Sequence, residues 1–167
     1  QLEVIIRMVT LVKREKWHRQ IVDLLAELCE EWKKRGKYKS VTRGTSKNPI
    51  PISYSRSVHF YQPDIFAKTK KGEVDIYEVL DTEDINLAIA DVVLSVLTPG
   101  FRYLCVACRK ENMADDLKKI VEIIRGKLKV IDEEKALSSA SFYIEYIPEE
   151  RDRRRLKKLL REKMRFD

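Results

Sequence analysis

The chain has 167 residues, of which 44% are apolar and 37% are charged, and its net charge is +7. This composition predicts a soluble globular protein of one domain, or of one domain with a helical appendage, and excludes a disordered or collagen-like chain. No apolar run approaches the roughly 18 residues that a membrane-spanning helix needs. With three cysteines and no secretory signal at its start, the chain is expected to be cytoplasmic and to bind no membrane.

Two further features of the composition are informative, namely the low content of Asn and Gln and the location of the positive charge. Asn and Gln occur only three times each, while Lys, Arg, Glu, Ile and Val are abundant. That bias is typical of hyperthermophile proteins and predicts a thermophilic, archaeal source. The positive charge is concentrated at the C-terminus, because nine of the 34 basic residues and three of the 27 acidic residues lie at 151–167. The rest of the chain is therefore almost neutral.

The first third of the chain predicts one long helix with strands around it. Residues 2–12 are rich in β-branched and apolar side chains, which predicts a first strand, although they could also extend the helix that follows. Apolar residues at three- and four-residue steps predict an amphipathic helix over about 14–35, with His18 exposed on it. A short strand at 38–43 then leads into a polar loop that contains Pro and Gly and extends to about residue 57.

The rest of the chain alternates between strands and helices. Apolar-rich runs at 58–68 and 73–81, joined by Thr69-Lys70-Lys71-Gly72, predict a hairpin. The order of elements predicts an α/β sandwich with a central mixed sheet. The later elements are a buried helix capped by Thr82, a strand at 101–109, a helix from Asn112 to Gly126, strands at 127–131 and 141–147, and a final helix that begins at Pro148.

Cys105 and Cys108 have the spacing of a redox or zinc half-site, but they lie in a predicted strand. Three positions along a strand place two side chains on opposite faces. The chain also has no second Cys/His pair that would complete four zinc ligands. We therefore expect both cysteines to be small buried apolar residues.

Two acidic residues in the predicted hairpin are the best candidates for chemistry. Asp64 follows Pro63 in one strand, and Glu78 lies in the other. Strand alternation can place both carboxylates near the same end of adjacent strands. Two such carboxylates could hold a divalent cation that activates water for phosphodiester cleavage.

At these residues the sequence resembles the PD-(D/E)xK nuclease superfamily, which has a restriction-endonuclease-like or Holliday-junction-resolvase-like fold. The resemblance covers residues 14–109 and implies an αβββαβ core there. The chain is then expected to consist of a nuclease-like domain at 1–147 and the basic C-terminal helix at 148–167. It implies that Asp64 and Glu78 are the catalytic and metal-binding acids, that Mg²⁺ is the cofactor of an active site, and that Glu27 is an additional acid on the first helix.

The chain departs from this family at one position, because Leu80 stands where the catalytic lysine is expected. That lysine orients the attacking water and stabilises negative charge, and a leucine can do neither. Lys68, Lys70 or Arg102 could replace it only if the fold brings one of them to the site. We therefore expect a nuclease-fold protein with a degenerate site that acts by binding in DNA or transcription metabolism.

The resemblance leaves the partner open between DNA and a DNA-associated protein such as a transcription factor. Archaeal TATA-binding-protein-interacting proteins are an example of relatives with an incomplete site. The alternatives are a resolvase-like, metal-dependent DNA endonuclease and an oligomeric scaffold.

The basic C-terminal helix allows three interpretations. It is a solvated charged face whose leucines dock on the body, or a phosphate-binding surface, or a surface for a protein partner or a homodimer. The partner stripe would be Leu156, Leu159 and Leu160. The candidate residues for contact with nucleic acid or a partner are Arg151, Arg153, Arg154, Arg155, Lys157, Lys158 and Arg161.

Overall fold

The structure is a computed structural model that describes residues 2–44, 50–53, 58–131 and 141–166. Its helices are α1 (Leu2–Lys34), α2 (Ile85–Val96), α3 (Glu111–Ile131) and α4 (Arg153–Lys163). Its strands are β1 (Ser40–Arg43), β2 (Ile50–Ser53), β3 (Val58–Tyr61), β4 (Ile65–Lys68), β5 (Val74–Leu80), β6 (Phe101–Cys108) and β7 (Ser141–Tyr146).

A five-stranded mixed sheet forms the centre of the fold, in the order β1-β4-β5-β6-β7. The strands β1, β4 and β5 are antiparallel neighbours, whereas β6 and β7 continue the sheet in parallel with β5. The predicted α/β architecture with a mixed sheet is thus confirmed. The strands β2 and β3 pair with each other in a separate two-stranded sheet.

Helices cover both faces of the five-stranded sheet, so the domain has two apolar cores. One core joins α1 and α4 to the face that carries Tyr77, and the other joins α2 and α3 to the face that carries Ile76. Every residue of β5 is buried, as expected for a central strand with helices on both sides. The residues of β5 therefore alternate between the two cores.

Several local predictions are confirmed. The strands β4 and β5 form the predicted hairpin, in which Gly72 adopts a positive φ of 86°. A residue without a Cβ adopts that conformation at no steric cost. Cys105 belongs to the α1 core and Cys108 to the α2 core. Both are buried free thiols, and so is Cys29.

The predicted strand at 2–12 is wrong, because α1 is helical from Leu2 onwards. The alternative, that these residues extend the following helix, is correct. No Gly or Pro interrupts the chain between residues 2 and 34, and the lower helix propensity of β-branched residues is a weak effect. Helix formation is cooperative, so a helix that is already nucleated extends easily through such a segment.

The predicted boundaries of α3 are also wrong. The helix continues through Gly126 to Ile131, so the strand predicted at 127–131 is absent. Asn112 lies inside the first turn rather than before it. A glycine within a helix costs only about 1 kcal/mol, which the rest of a 21-residue helix can offset.

The apolar run at 58–68 forms two strands in different sheets rather than one. The strand β3 ends at Tyr61 and β4 begins at Ile65, with Pro63 between them. Proline has no N–H group for a sheet and is poorly tolerated inside a strand. The loop predicted to reach residue 57 contains β2, and its remaining residues at 45–49 and 54–57 lie outside the described residues.

Aspartates rather than the predicted residues begin two helices. Asp84 caps α2, and the hydroxyl of Thr82 instead accepts a hydrogen bond from the Asp84 N–H at 3.0 Å. Asp152 caps α4 by accepting hydrogen bonds from the Arg154 and Arg155 N–H groups, so Pro148 lies before the helix. A side-chain oxygen at the N-cap satisfies backbone donors that have no partner in the helix.

Candidate functional site

The structure brings Asp64 and Glu78 to the same end of adjacent strands. Ile65 at the start of β4 pairs with Tyr77 of β5, so Asp64 lies next to the position of Glu78. The Glu78 side chain is buried, and about a fifth of the Asp64 side chain is exposed. The two acids thus lie at the C-terminal end of β5, near the boundary between the sheet and solvent.

The carboxylate of Asp64 is engaged by groups of the chain itself. Its Oδ2 atom accepts a hydrogen bond from the Val79 N–H at 2.7 Å, and its Oδ1 atom lies 3.4 Å from Nε2 of His18. The hydrogen bond with Asp64 is the main cause of a raised pKa at His18. His18 was expected to be an exposed helix residue, but α1 directs it to this sheet end. The helix therefore supplies an imidazole beside the candidate acid, and the contact with Asp64 favours its protonated form.

A third acid, Asp91, lies close enough to Asp64 for their charges to interact. Burial is the first cause that raises the pKa of Asp91, to about 6, and the negative charge of Asp64 is the second. Asp91 is three residues from Ala88 and four from Ser95, which are both buried on α2. The sequence feature that could have identified Asp91 as a candidate is the presence of an acid on the apolar face of this helix.

We expect the Asp91→Asn variant to be more stable than the wild type by about 2 kcal/mol at pH 7. The folded protein holds the Asp91 proton more tightly than the unfolded chain, so ionisation of this group costs stability. The cost is absent below the unfolded pKa near 4, grows as pH rises towards 6, and persists above it. Urea unfolding at pH 4 and pH 7 measures the effect, and an equal difference between the two proteins at both pH values would contradict it.

Leu80, which the resemblance places at the position of a catalytic lysine, is part of the apolar core. Leu80 is 5% exposed and packs in the cluster between the sheet and α2 and α3. Lys68 pairs with Val74 at the opposite end of β5, and Lys70 lies in the hairpin turn at that same end. Arg102 binds Asp75, also at that end. None of the three cations considered as a replacement reaches the Asp64 end.

Arg14 and His18 are cationic residues of α1 that the structure does bring to this end. Arg14 donates two hydrogen bonds to the backbone oxygen of Asp81, at 3.0 and 2.8 Å. Asp81 directly follows β5. The guanidinium of Arg14 therefore fixes α1 against the end of the strand rather than pointing at the carboxylate of Asp64.

Glu27, the proposed additional acid, does not join Asp64. It forms ion pairs with Arg153 and Lys157 of α4. It is also nine residues beyond His18 along α1, which corresponds to a rise of about 13 Å. The role that the resemblance implied for Glu27 is therefore not supported by its position.

Among the residues that the structure describes, no group of three or more His, Cys, Asp or Glu side chains is arranged to hold a metal ion. Mg²⁺ is commonly held by one or two carboxylates together with waters and substrate phosphates. Asp64 and Glu78 fit only such an open site, and binding there would compete with the hydrogen bond from Val79 to Asp64.

A second polar cluster, which the sequence analysis missed, lies at the other end of β5. The fully buried Asp75 accepts hydrogen bonds from Nε and Nη2 of Arg102 and from the hydroxyl of Tyr38. The hydroxyls of Tyr38, Tyr77 and Tyr103 lie 2.6 to 3.0 Å from one another. Burial is the first cause that raises the pKa of each tyrosine. The three hydroxyls therefore stay protonated, and the network links β5 and β6 to Tyr38, which favours a structural role.

Acidic residues of the body neutralise much of the basic face of α4. Lys157 lies 2.6 Å from Glu31 and 3.2 Å from Glu27, and Arg161 lies 2.7 Å from Glu31. Hydrogen bonds from these two cations lower the pKa of Glu31. Arg153 is a further partner of Glu27. These three cations therefore hold α4 against α1 and are poorly placed to contact phosphates.

The predicted partner stripe is wrong, because its leucines are part of the protein's own core. Leu156 and Leu160 are fully buried, and Leu159 is partly buried against the same cluster. The interpretation of α4 as a helix that docks its leucines on the body is the correct one. On the exposed side of this region, Arg151, Arg154 and Lys158 form no ion pair with any described residue.

Comparisons of the chain with protein-family models, with curated proteins and with solved structures give no match. In the described part of the chain, no helix combines the length and the apolar character needed to cross a membrane. The function is therefore inferred from the geometry of this chain alone.

Proposed function

We propose that the chain is a DNA-binding protein of DNA or transcription metabolism, with a nuclease-like fold and an incomplete cleavage site. In this proposal α1, β1, β4, β5, α2 and β6 correspond in order to the αβββαβ core. The separate β2–β3 pair is then an insertion between the first two core strands. The antiparallel arrangement of β1, β4 and β5, followed by parallel β6, is compatible with this assignment.

The observation that carries the proposal is the environment of Leu80 and Asp64. Leu80 is packed in the core, and its apolar side chain can neither orient water nor stabilise an anion. Asp64 is already hydrogen-bonded to the backbone of Val79 and lies beside His18. Loss of one electrostatic stabiliser typically lowers the rate of an enzyme by a factor on the order of 10²–10³. Binding without cleavage is therefore the function that this site supports best.

The exposed cations of the α4 region are the best candidates for contact with DNA. Arg154 and Lys158 are four residues apart on α4, so they lie on the same face of the helix, and Arg151 precedes that helix. All three side chains are exposed. Cations on one helix face can bind phosphates and release counterions without reading the base sequence. We therefore expect binding that depends on salt and varies little with DNA sequence.

Double replacement of Arg154 and Lys158 by alanine tests this surface. Each lost phosphate contact should reduce the slope of log binding constant against log salt concentration by about 0.9 in magnitude. The double variant should therefore have a slope that is smaller in magnitude by almost 2. Fluorescence anisotropy with a labelled duplex, measured at several salt concentrations, gives this slope.

The matched control is the double replacement of Lys118 and Lys119 by alanine on α3. It removes the same charge from the opposite face of the sheet, and its slope should equal that of the wild type. Equal slopes for all three proteins would contradict the proposed surface. Absence of DNA binding together with capture of a protein would instead favour the protein-partner interpretation.

Metal-dependent cleavage is the second candidate function, because Asp64 and Glu78 lie at the same strand end and Asp91 is close enough to Asp64 for their charges to interact. The charge of Asp64 contributes to the raised pKa of Asp91, and a divalent cation would relieve the repulsion between these carboxylates. Linear and branched DNA incubated with Mg²⁺ or Mn²⁺ provide the test. Cleavage that Asp64→Asn and Glu78→Gln both abolish would establish the enzyme and overturn the binding-only proposal.

A further inference from the structure

The first half of α1 carries apolar side chains that no described part of the domain covers. The first residue of α1 that is buried in the core is Trp17, and Arg14 marks the edge of the domain through its bonds to Asp81. Before that point the apolar side chains are between 49% and 63% exposed. These residues are Val4, Ile5, Ile6, Met8, Val9, Leu11 and Val12.

Most of these side chains share one side of the helix. At 100° per residue, six of the seven fall within a sector of about 160°, and only Ile6 lies outside it. We call these six residues the N-terminal stripe: Val4, Ile5, Met8, Val9, Leu11 and Val12. Between residues 3 and 13 this sector contains no charged side chain, whereas Glu3, Arg7 and Thr10 lie on the opposite side.

The N-terminal stripe is not a continuation of the face that packs on the sheet. Trp17, Ile21 and Leu28 define the core-facing side of α1. By the same 100° rule, the core-facing side continues into Thr10 and Glu3 in the first half of the helix. The centre of the N-terminal stripe is rotated from the core-facing side by roughly half a turn. The core-facing side therefore becomes polar where the domain ends, while the opposite side becomes apolar. This reversal indicates that the apolar side is a second contact surface, separate from the one that packs on the sheet.

We propose that the N-terminal stripe packs against the same stripe of other copies of this chain. Its six apolar side chains, each about half exposed, present several hundred Å² of apolar surface. The largest apolar patch on a typical monomer is about 300–600 Å², and a standard interface buries about 800 Å² per partner. The stripe is thus large enough to supply most of one side of a stable interface.

A second copy is the occupant that the chemistry of the stripe favours. Its Val, Ile, Leu and Met side chains need no complementary charge, so the surface is complementary to itself. Homodimer interfaces are more apolar than other interfaces, and symmetric contacts use the same patch on both subunits. A sector of 160° is also wider than the narrow seam of a two-stranded coiled coil. This width favours a bundle of helices from more than two copies.

The oligomeric state in the absence of DNA tests the proposal. Light scattering of the purified chain at tens of micromolar should give a mass that is a multiple of 19.7 kDa. Met8→Glu places a charge near the centre of the stripe and should convert the protein to a 19.7-kDa monomer with an unchanged helical spectrum. Thr10→Glu adds the same charge on the polar side and should leave the oligomer intact.

Crosslinking identifies the surface directly, because the three native cysteines are buried. Under mild oxidation Met8→Cys should form an interchain disulfide, whereas Thr10→Cys should remain monomeric on a denaturing gel. A wild-type monomer, or an oligomer that Met8→Glu leaves intact, would overturn the proposal. A monomer that binds anionic lipid vesicles through this stripe would also overturn it and would identify a membrane surface as the occupant. The DNA-binding result is independent of each of these outcomes.

Discussion

Replacement of Arg102 by alanine is expected to lower the free energy of unfolding by about 3 kcal/mol, because it removes the cation that neutralises a buried carboxylate. Asp75 is fully buried, and both of its carboxylate oxygens accept hydrogen bonds from Arg102. Among the described contacts of Asp75, the variant keeps the hydrogen bond that the hydroxyl of Tyr38 donates. A single neutral donor does not compensate a buried carboxylate.

Two variants separate this effect from a general loss of surface charge. Arg102→Lys keeps the charge but loses the planar fork that binds both oxygens, so its cost should be intermediate. Arg43→Ala breaks an ion pair with Asp23 in which both side chains are nearly half exposed, and it should cost less than about 1 kcal/mol. Urea unfolding gives all three values. A cost for Arg102→Ala as small as that for Arg43→Ala would contradict the structural role of the network.

Elements that depend on neighbouring residues could be predicted from the sequence. The β4–β5 hairpin follows from two apolar runs with a Gly-containing turn between them, and strand alternation separates Cys105 from Cys108. The closeness of Asp64 and Glu78 follows from the same hairpin, since one register fixes both. These inferences needed only the periodicity of a strand and the position of its turn.

Contacts between distant segments could not be predicted in this way. The charge of the C-terminal helix was compatible with a phosphate-binding surface as well as a docked helix, and the sequence could not decide between them. Glu31 lies 126 residues before Lys157 and neutralises it only in the folded chain. The role of Asp75 likewise could not be recognised from the sequence, because its partner Arg102 comes from the next parallel strand. A count of local charge cannot reveal partners that the topology brings together.

The first half of α1 shows a different limit of sequence patterns. Its β-branched residues suit a strand or a helix, and the choice depends on whether a helix is already nucleated at residues 14–34. The exposed stripe on this segment could not be recognised from the sequence either, because an apolar segment normally belongs to the core. Only the position of the domain edge at Arg14 separates the two cases.

Replacement of Leu160 by alanine is expected to lower the free energy of unfolding by about 3 kcal/mol, because this side chain of α4 is fully buried in the core. The change removes the Cγ, Cδ1 and Cδ2 atoms from a packed core and leaves a cavity, which adds a cost that a surface leucine does not have. If Leu160 were part of a partner surface, the same change would weaken binding and leave the stability of the isolated chain nearly unchanged.

The control for this prediction is Lys158→Ala on the exposed side of α4, which should change stability by no more than about 0.5 kcal/mol. Both variants are compared with the wild type by urea unfolding at one protein concentration, since self-association makes stability depend on concentration. Equal stability of all three proteins would mean that residues 148–167 form a separable appendage. A large loss in Leu160→Ala alone would mean that α4 completes the core that α1 begins, and that its exposed cations are held at fixed positions on the domain.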